Sequence, residues 1–139
     1  MKQRAALVEQ LLSSRAFLSA KFIALISGLS WKMQRKSCHD AKVQAYLSDK
    51  NISFQLQTRN GLICRHFLVS DQRISSAWGA HPAPDLVIVF ADAVIGTRIL
   101  TAVGKRLAFM QAMQDKEVEV QGDLSLFMWY VELGSMLNQ

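Results

Sequence analysis

The chain has 139 residues, half of them hydrophobic and 19% charged, enough for one domain whose core needs no disulfide or metal staple. Its two cysteines, Cys38 and Cys64, stand in neither framework nor metal-ligand spacing, which argues against a disulfide scaffold and fits a reducing compartment. The net charge of +5 is unevenly divided: residues 1–60 carry ten Lys/Arg against three acids, and residues 61–139 carry six against eight. That asymmetry points to an anionic partner surface, lipid headgroups or nucleic acid, although a solvated helical face kept soluble by lysines has the same composition.

Residues 3–29 contain no proline, and Val8, Leu11, Leu12, Leu18, Phe22, Ile26 and Leu29 recur at spacings of three and four. This predicts a basic amphipathic helix with a break near Gly28. Such a helix can lie in a bilayer interface or pack on its own domain. The apolar stretch Ala16–Trp31 is interrupted by Lys21 and is shorter than the roughly 20 residues needed to span a bilayer. Arg15 and Lys21 also depart from the profile of a signal peptide, so a cytoplasmic protein is expected, placed peripherally at the inner face of the membrane. Asp40 is placed to cap a second short helix with Val43, Tyr46 and Leu47 facing inward.

The period then changes from helical to two. In NISFQLQTRNG, Ile52, Phe54 and Leu56 share one face, Ser53, Gln55 and Gln57 the other, and Asn60-Gly61 signals a hairpin. LICRHFLVS and QRISSAWG continue it as an antiparallel meander. Pro82 and Pro84 break the pattern before LVIVF, a continuous apolar strand that should be covered on both faces. Helices are expected from about Asp92 to Val103 and from Lys105 to Asp115, separated by Gly104. A strand, EVEVQ, and a helix capped by Asp123 close the chain. The predicted fold is α+β: an antiparallel or mixed five-stranded sheet covered by helices, with an added N-terminal helical region.

Catalytic chemistry finds little footing. The seven glycines form no phosphate-cradling loop, and there is no nucleophile elbow and no HExxH helix. Cys38-His39-Asp40 are merely adjacent, and Cys64 with His66 gives two ligands at best, so no metal and no cofactor are expected. Glu117 and Glu119 alternate with Val118 and Val120, the pattern of a strand's solvent face rather than of an acid/base pair. Aromatic residues do not interleave with the basic ones as base-stacking sheets require, which argues against nucleic acid. No catalytic residue is therefore assigned.

The closing helix raises a different matter. Between Leu124 and Leu137 only Ser125, Glu132, Gly134 and Ser135 are not plainly apolar, and Ser125, Glu132 and Ser135 fall in one narrow stripe. Such a helix is either central in a core or shares its surface with a second apolar partner. The preceding LAFMQAMQ adds Leu107, Phe109, Met110 and Met113, and methionines recur on surfaces that take varied apolar ligands.

From about Ile52 to Leu137 the chain resembles the sterol-carrier-protein lipid-binding domain. VEVQGDLSLFMWYVELGSML is similar to that family's closing strand, Gly-Asp turn and apolar helix. HPAPDLVIVFADAVIGTRIL is similar to its proline-aspartate, apolar strand and short helix passage, and FQLQTRNGLICRHFLVSDQRISS to its hairpin and third strand. The resemblance implies residues 51–139 as a lipid-binding domain and 1–50 as basic helices packed on or flanking it. It also implies an apolar tunnel between sheet and helices, walled by Trp78, Phe90, Ile99, Val103, Phe109, Met110, Met113, Phe127, Met128 and Val131. Arg4, Arg15, Lys21, Lys32, Arg35 and Lys36 are the candidate membrane contacts. Without a peroxisomal ending, and with an extra basic helical region, the chain departs from the eukaryotic carriers, and both departures point away from sterol itself. The expected function is non-enzymatic binding of a lipid or isoprenoid-like ligand. The alternatives are an accessory factor presenting a ubiquinone precursor or other lipidic intermediate to biosynthetic enzymes, and an interaction domain with a filled core.

Overall fold

The computed structural model describes the backbone of residues 2–137 and the side chains of residues 16–137. The elements run α1 (Lys2–His39), α2 (Ala41–Leu47), β1 (Ile52–Thr58), β2 (Cys64–Ser70), β3 (Arg73–Trp78), β4 (Leu86–Phe90), α3 (Ala93–Leu100), α4 (Lys105–Gln114), β5 (Val118–Gly122) and α5 (Leu124–Met136). The five strands form one sheet in the order β3-β2-β1-β4-β5. Only the central β1–β4 pair is parallel, and the other three pairs are antiparallel. The sheet is mixed, one of the two arrangements the sequence pattern leaves open.

Period-two alternation sorts the sheet into two unlike faces. Phe54, Leu56, Phe67, Val69, Ile74, Leu86, Ile88, Phe90 and Val118 join a single core with residues from all five helices. The opposite face carries Ser53, Gln55, Gln57 and His66, with Val87 and Val89 buried between strands bearing Gln55, Gln57, Glu119 and Gln121. The segment His81–Asp85 ties this face down: Gln55 Oε1 accepts from the His81 amide, and the Asp85 carboxylate accepts from the Ser53 amide. LVIVF is thus buried on both sides, but helices cover only one of them.

One local expectation changes. α1 is continuous through Gly28, which is exposed, with no other group within 4 Å of where a Cβ would sit. A mid-helix glycine costs about 1 kcal/mol relative to alanine, less than the packing on either side of it supplies. The β1–β2 hairpin forms about Asn60-Gly61, with residues 59–63 as its connection. Thr58 donates its amide to the Ile63 carbonyl, Asn60 Oδ1 accepts from the Leu62 amide, and Gly61 takes a left-handed φ of 76°. A tight turn joins β2 to β3, where Asp71 and Gln72 both have positive φ.

Both predicted caps form: Asp40 accepts from the amides of Lys42 and Val43, and Asp123 from Ser125. Asp92, not singled out in the sequence, caps α3 in the same way by accepting from Ile95. The hydroxyl and amide of Ser125 hold the Asp123 carboxyl below the usual carboxylate range. A depressed pKa contributes stability that is present above the unfolded-state value and lost as pH falls through the folded one. Asp123→Asn should therefore flatten the acid limb: its melting temperature falls less than the wild type's as pH drops from about 5 towards 2. Parallel slopes in calorimetry would contradict this.

Candidate functional site

The helices meet over the apolar sheet face around a chain of aromatic rings. Phe22 of α1 stands edge-on to Phe90 at 5.8 Å, Phe90 lies 6.3 Å from Phe109, and Phe109 meets Phe127 edge-on at 5.3 Å. Phe109 also meets Tyr130 at 6.2 Å, and burial pushes the Tyr130 phenol pKa upward. Beside this chain, Leu29 and Met33 of α1 face Leu100, Lys105, Phe109, Tyr130, Val131 and Gly134 across a cavity of about 10 Å³. That is the room of a single water at most. The interior at this seam is closed by side chains.

Of the ten predicted wall residues, Phe90, Ile99, Phe109, Phe127 and Val131 are brought together and buried. Met113 and Met128 pack part-buried against the same core. The other three lie elsewhere. Val103 is fully exposed between α3 and α4, and Met110 is 47% exposed because the α4 turn that buries Phe109 rotates its neighbour outward. Trp78, at the end of edge strand β3, is 46% exposed; the Arg65 guanidinium lies over its ring at 4.7 Å, and it shares an open groove with Ile23.

α1 supplies residues that the predicted wall omits: Phe22, Ile26 and Met33 are fully buried. Their spacing of four and seven is visible in the sequence, but the helix reads equally well as packing on lipid or on protein. α1 rests against α3, β3 and α2. At α3 the Phe22 ring fills the notch of Gly96, where a Cβ would sit 2.5 Å from it. Along β3 the contacts are polar: the hydroxyls of Ser30 and Ser76 meet, Gln34 and Arg65 both donate to Ser76, and the Ile74 amide donates to Ser37.

The outer side of α1 is basic and aromatic. Arg35 lies over Trp31 at 5.2 Å, and these two border an open groove of about 500 Å³ with Lys32, Lys36, His39, Asp40 and Ala41. Lys36 donates to the Met136 carbonyl and lies 3.9 Å from Asp40. Lys21 is exposed, while Arg4 and Arg15 fall outside the residues whose side chains are described. Phe17, Ile23 and Trp31 are also exposed, at 68%, 40% and 62%. By length and mean hydropathy (1.2), Ala16–His39 is one helix long and apolar enough to cross a membrane, with 22% of its most apolar window buried.

Elsewhere, the His66 and His81 rings lie 5.6 Å apart, and among the described residues no three His, Cys, Asp or Glu side chains gather as metal ligands. Cys38 and Cys64 are both free thiols.

The sequence matches no family model and no curated protein. Its structure matches several solved ones. A protein described as UbiJ-SCP2, a ubiquinone synthesis protein, superposes with a TM-score of 0.62 at 13% identity, covering 81% of this chain and 89% of that one. The sterol carrier protein domain 2 of Helicoverpa armigera gives 0.57 at 13% identity over 81% and 87%. The sec-alkylsulfatase Pisa1 of a Pseudomonas species gives 0.52 at 11% identity, covering 65% of this chain but 14% of the enzyme. These superpositions show the fold alone: the chain has the sterol-carrier-protein-2-like fold.

Proposed function

We propose that this protein binds a lipid or other long apolar ligand beneath its helical layer, without chemistry of its own, while α1 meets an anionic membrane surface on the cytoplasmic side. The observation that carries the reading is the fold, together with the aromatic chain Phe90–Phe109–Phe127 on the face where the helices meet. Burying one methylene contributes about 0.8 kcal/mol, so a chain covered over a dozen carbons needs no polar contact to bind usefully. Each Lys or Arg at an anionic surface adds about 1 kcal/mol, reduced by salt. Lys21 and Arg35 are the exposed candidates for that contact.

Native mass spectrometry of the protein purified from cells should show an added mass of a fatty acid, phospholipid or isoprenoid. Apo protein alone, with no uptake of fluorescent lipid, would overturn the reading. Lys21→Glu/Arg35→Glu should weaken sedimentation with anionic liposomes and leave binding to neutral ones unchanged. Equal sedimentation of both forms would remove the membrane role.

A second reading is favoured by the likeness to the ubiquinone synthesis protein: presentation of a lipidic intermediate to biosynthetic enzymes. Its test is recovery of such enzymes with the tagged protein and loss of quinone when the gene is deleted. A third is favoured by the closed seam: a protein-interaction domain whose own side chains fill the interior.

A further inference from the structure

The closed seam and the lipid-binding reading are reconciled by what closes it. α1 closes one side of it: Phe22, Ile26 and Met33 are fully buried, and Met33 borders the residual cavity with Leu29. From Phe22 to Met33 the row extends about 16 Å along the helix axis, the reach of an extended acyl chain. Opposite it stand Phe90, Ile99, Leu100, Phe109 and Val131, an apolar floor.

Three features make α1 separable from that floor. Its edge along β3 is fastened by polar groups, Ser30 and Gln34 with Ser76 and Ser37 with Arg73 and the Ile74 amide, and water can replace such hydrogen bonds at a modest net cost. Its edge along α4 and α5 retains the cavity, so packing there is incomplete. Its outer face already displays Phe17 and Trp31 beside Lys21 and Arg35, so a membrane interface offers it a second partner. The floor's rim carries one charged group, Lys105, with no carboxylate within ion-pair distance among the described residues. Burial, and then the charge of Lys32, lower the Lys105 pKa, the mark of an ammonium short of a counter-ion.

Resting on the lipid-binding reading, we infer that Phe22, Ile26 and Met33 occupy the ligand site of the empty protein, and that an anionic-ended apolar chain enters by displacing α1 and sets its charged end at Lys105. Ligand and docked α1 exclude each other.

The test is a lock. With the hydroxyls of Ser30 and Ser76 in contact, cysteines at those positions lie within disulfide reach. In a Cys38→Ser/Cys64→Ser background, Ser30→Cys/Ser76→Cys is titrated oxidised and reduced with a fluorescent long-chain fatty acid and with its uncharged methyl ester. The oxidised form should bind both at least about tenfold more weakly than the reduced form, and reductant should restore binding. Equal binding by the two forms would remove α1 as the occupant while leaving lipid binding intact. Failure of both the wild type and the reduced variant to bind would remove the lipid reading and this inference with it. Lys105→Met should weaken the fatty acid about tenfold and leave the ester unchanged, as loss of a charge-assisted contact predicts. An equal effect on both probes, or none, would displace the anionic end from Lys105.

Discussion

Gly122→Ala should lower the melting temperature by about 10–15 °C, the result of about 3–5 kcal/mol lost from a chain of this size. Two costs act at the one position. Gly122 closes β5 opposite Leu86 with a φ of 127°, where an L side chain costs about 1–3 kcal/mol. Its added Cβ would also lie 2.5 Å from the Asp85 carbonyl oxygen and 3.3 Å from the Leu86 Cα. Both obstacles are backbone, and no rotamer change removes them. Gly28→Ala is the matched control: in a right-handed helix with open space around it, the same methyl should raise stability by about 0.5–1 kcal/mol. Thermal melts by circular dichroism decide both. A loss below about 3 °C for Gly122→Ala would show that the β4–β5 junction relaxes freely.

Phe54→Ala should cost about 3–5 kcal/mol, the range for deleting a fully buried phenylalanine. Phe54 lies on the central strand and touches three rings: Phe67 of β2 stacked at 4.7 Å, Tyr130 at 5.2 Å and Trp129 edge-on at 6.4 Å. Its removal opens a void between sheet and α5 that neither can fill without moving. The Tyr46 ring stacked on Trp129, with its hydroxyl bonded to the Trp129 carbonyl, extends the same cluster to α2. Burial, then Glu132 and Asp49, push that phenol's pKa up to about 12. Phe54→Leu keeps most of the volume and should lose less than about 1.5 kcal/mol. Denaturant unfolding followed by tryptophan fluorescence measures both, and equal losses would mean that ring packing contributes nothing here.

These two positions show what can be read from a sequence and what cannot. The alternation Ile52, Phe54, Leu56 states that Phe54 faces the core, because a strand has only two faces. It does not state which rings meet it, since Tyr130 lies 76 residues away. The Gly122-Asp123 pair reads as strand end and helix cap, and both roles are present. The close approach of Asp85 to Gly122 depends on the β4–β5 register and is invisible locally. Met110 and Val103 enter the predicted wall through the family resemblance, whereas a rotation of about 100° per residue along α4 decides that Phe109 enters and Met110 does not. Along α1 the row Phe22, Ile26, Leu29 is plain from spacing, but a 3.6-residue period is satisfied equally by protein and by lipid.

The position of α1 in the chain has a consequence for synthesis. Its polar fastening comes from residues 73–76, its notch from Gly96, and its far seam from residues 100–134, with Lys36 reaching the carbonyl of Met136. During translation at about 5–20 residues per second, the row Phe22–Ile26–Met33 therefore emerges roughly 5–20 s before its last partners exist. Through that interval α1 is a greasy, positively charged rod beside the ribosome, and a chaperone or an anionic bilayer is available to it sooner than its own domain.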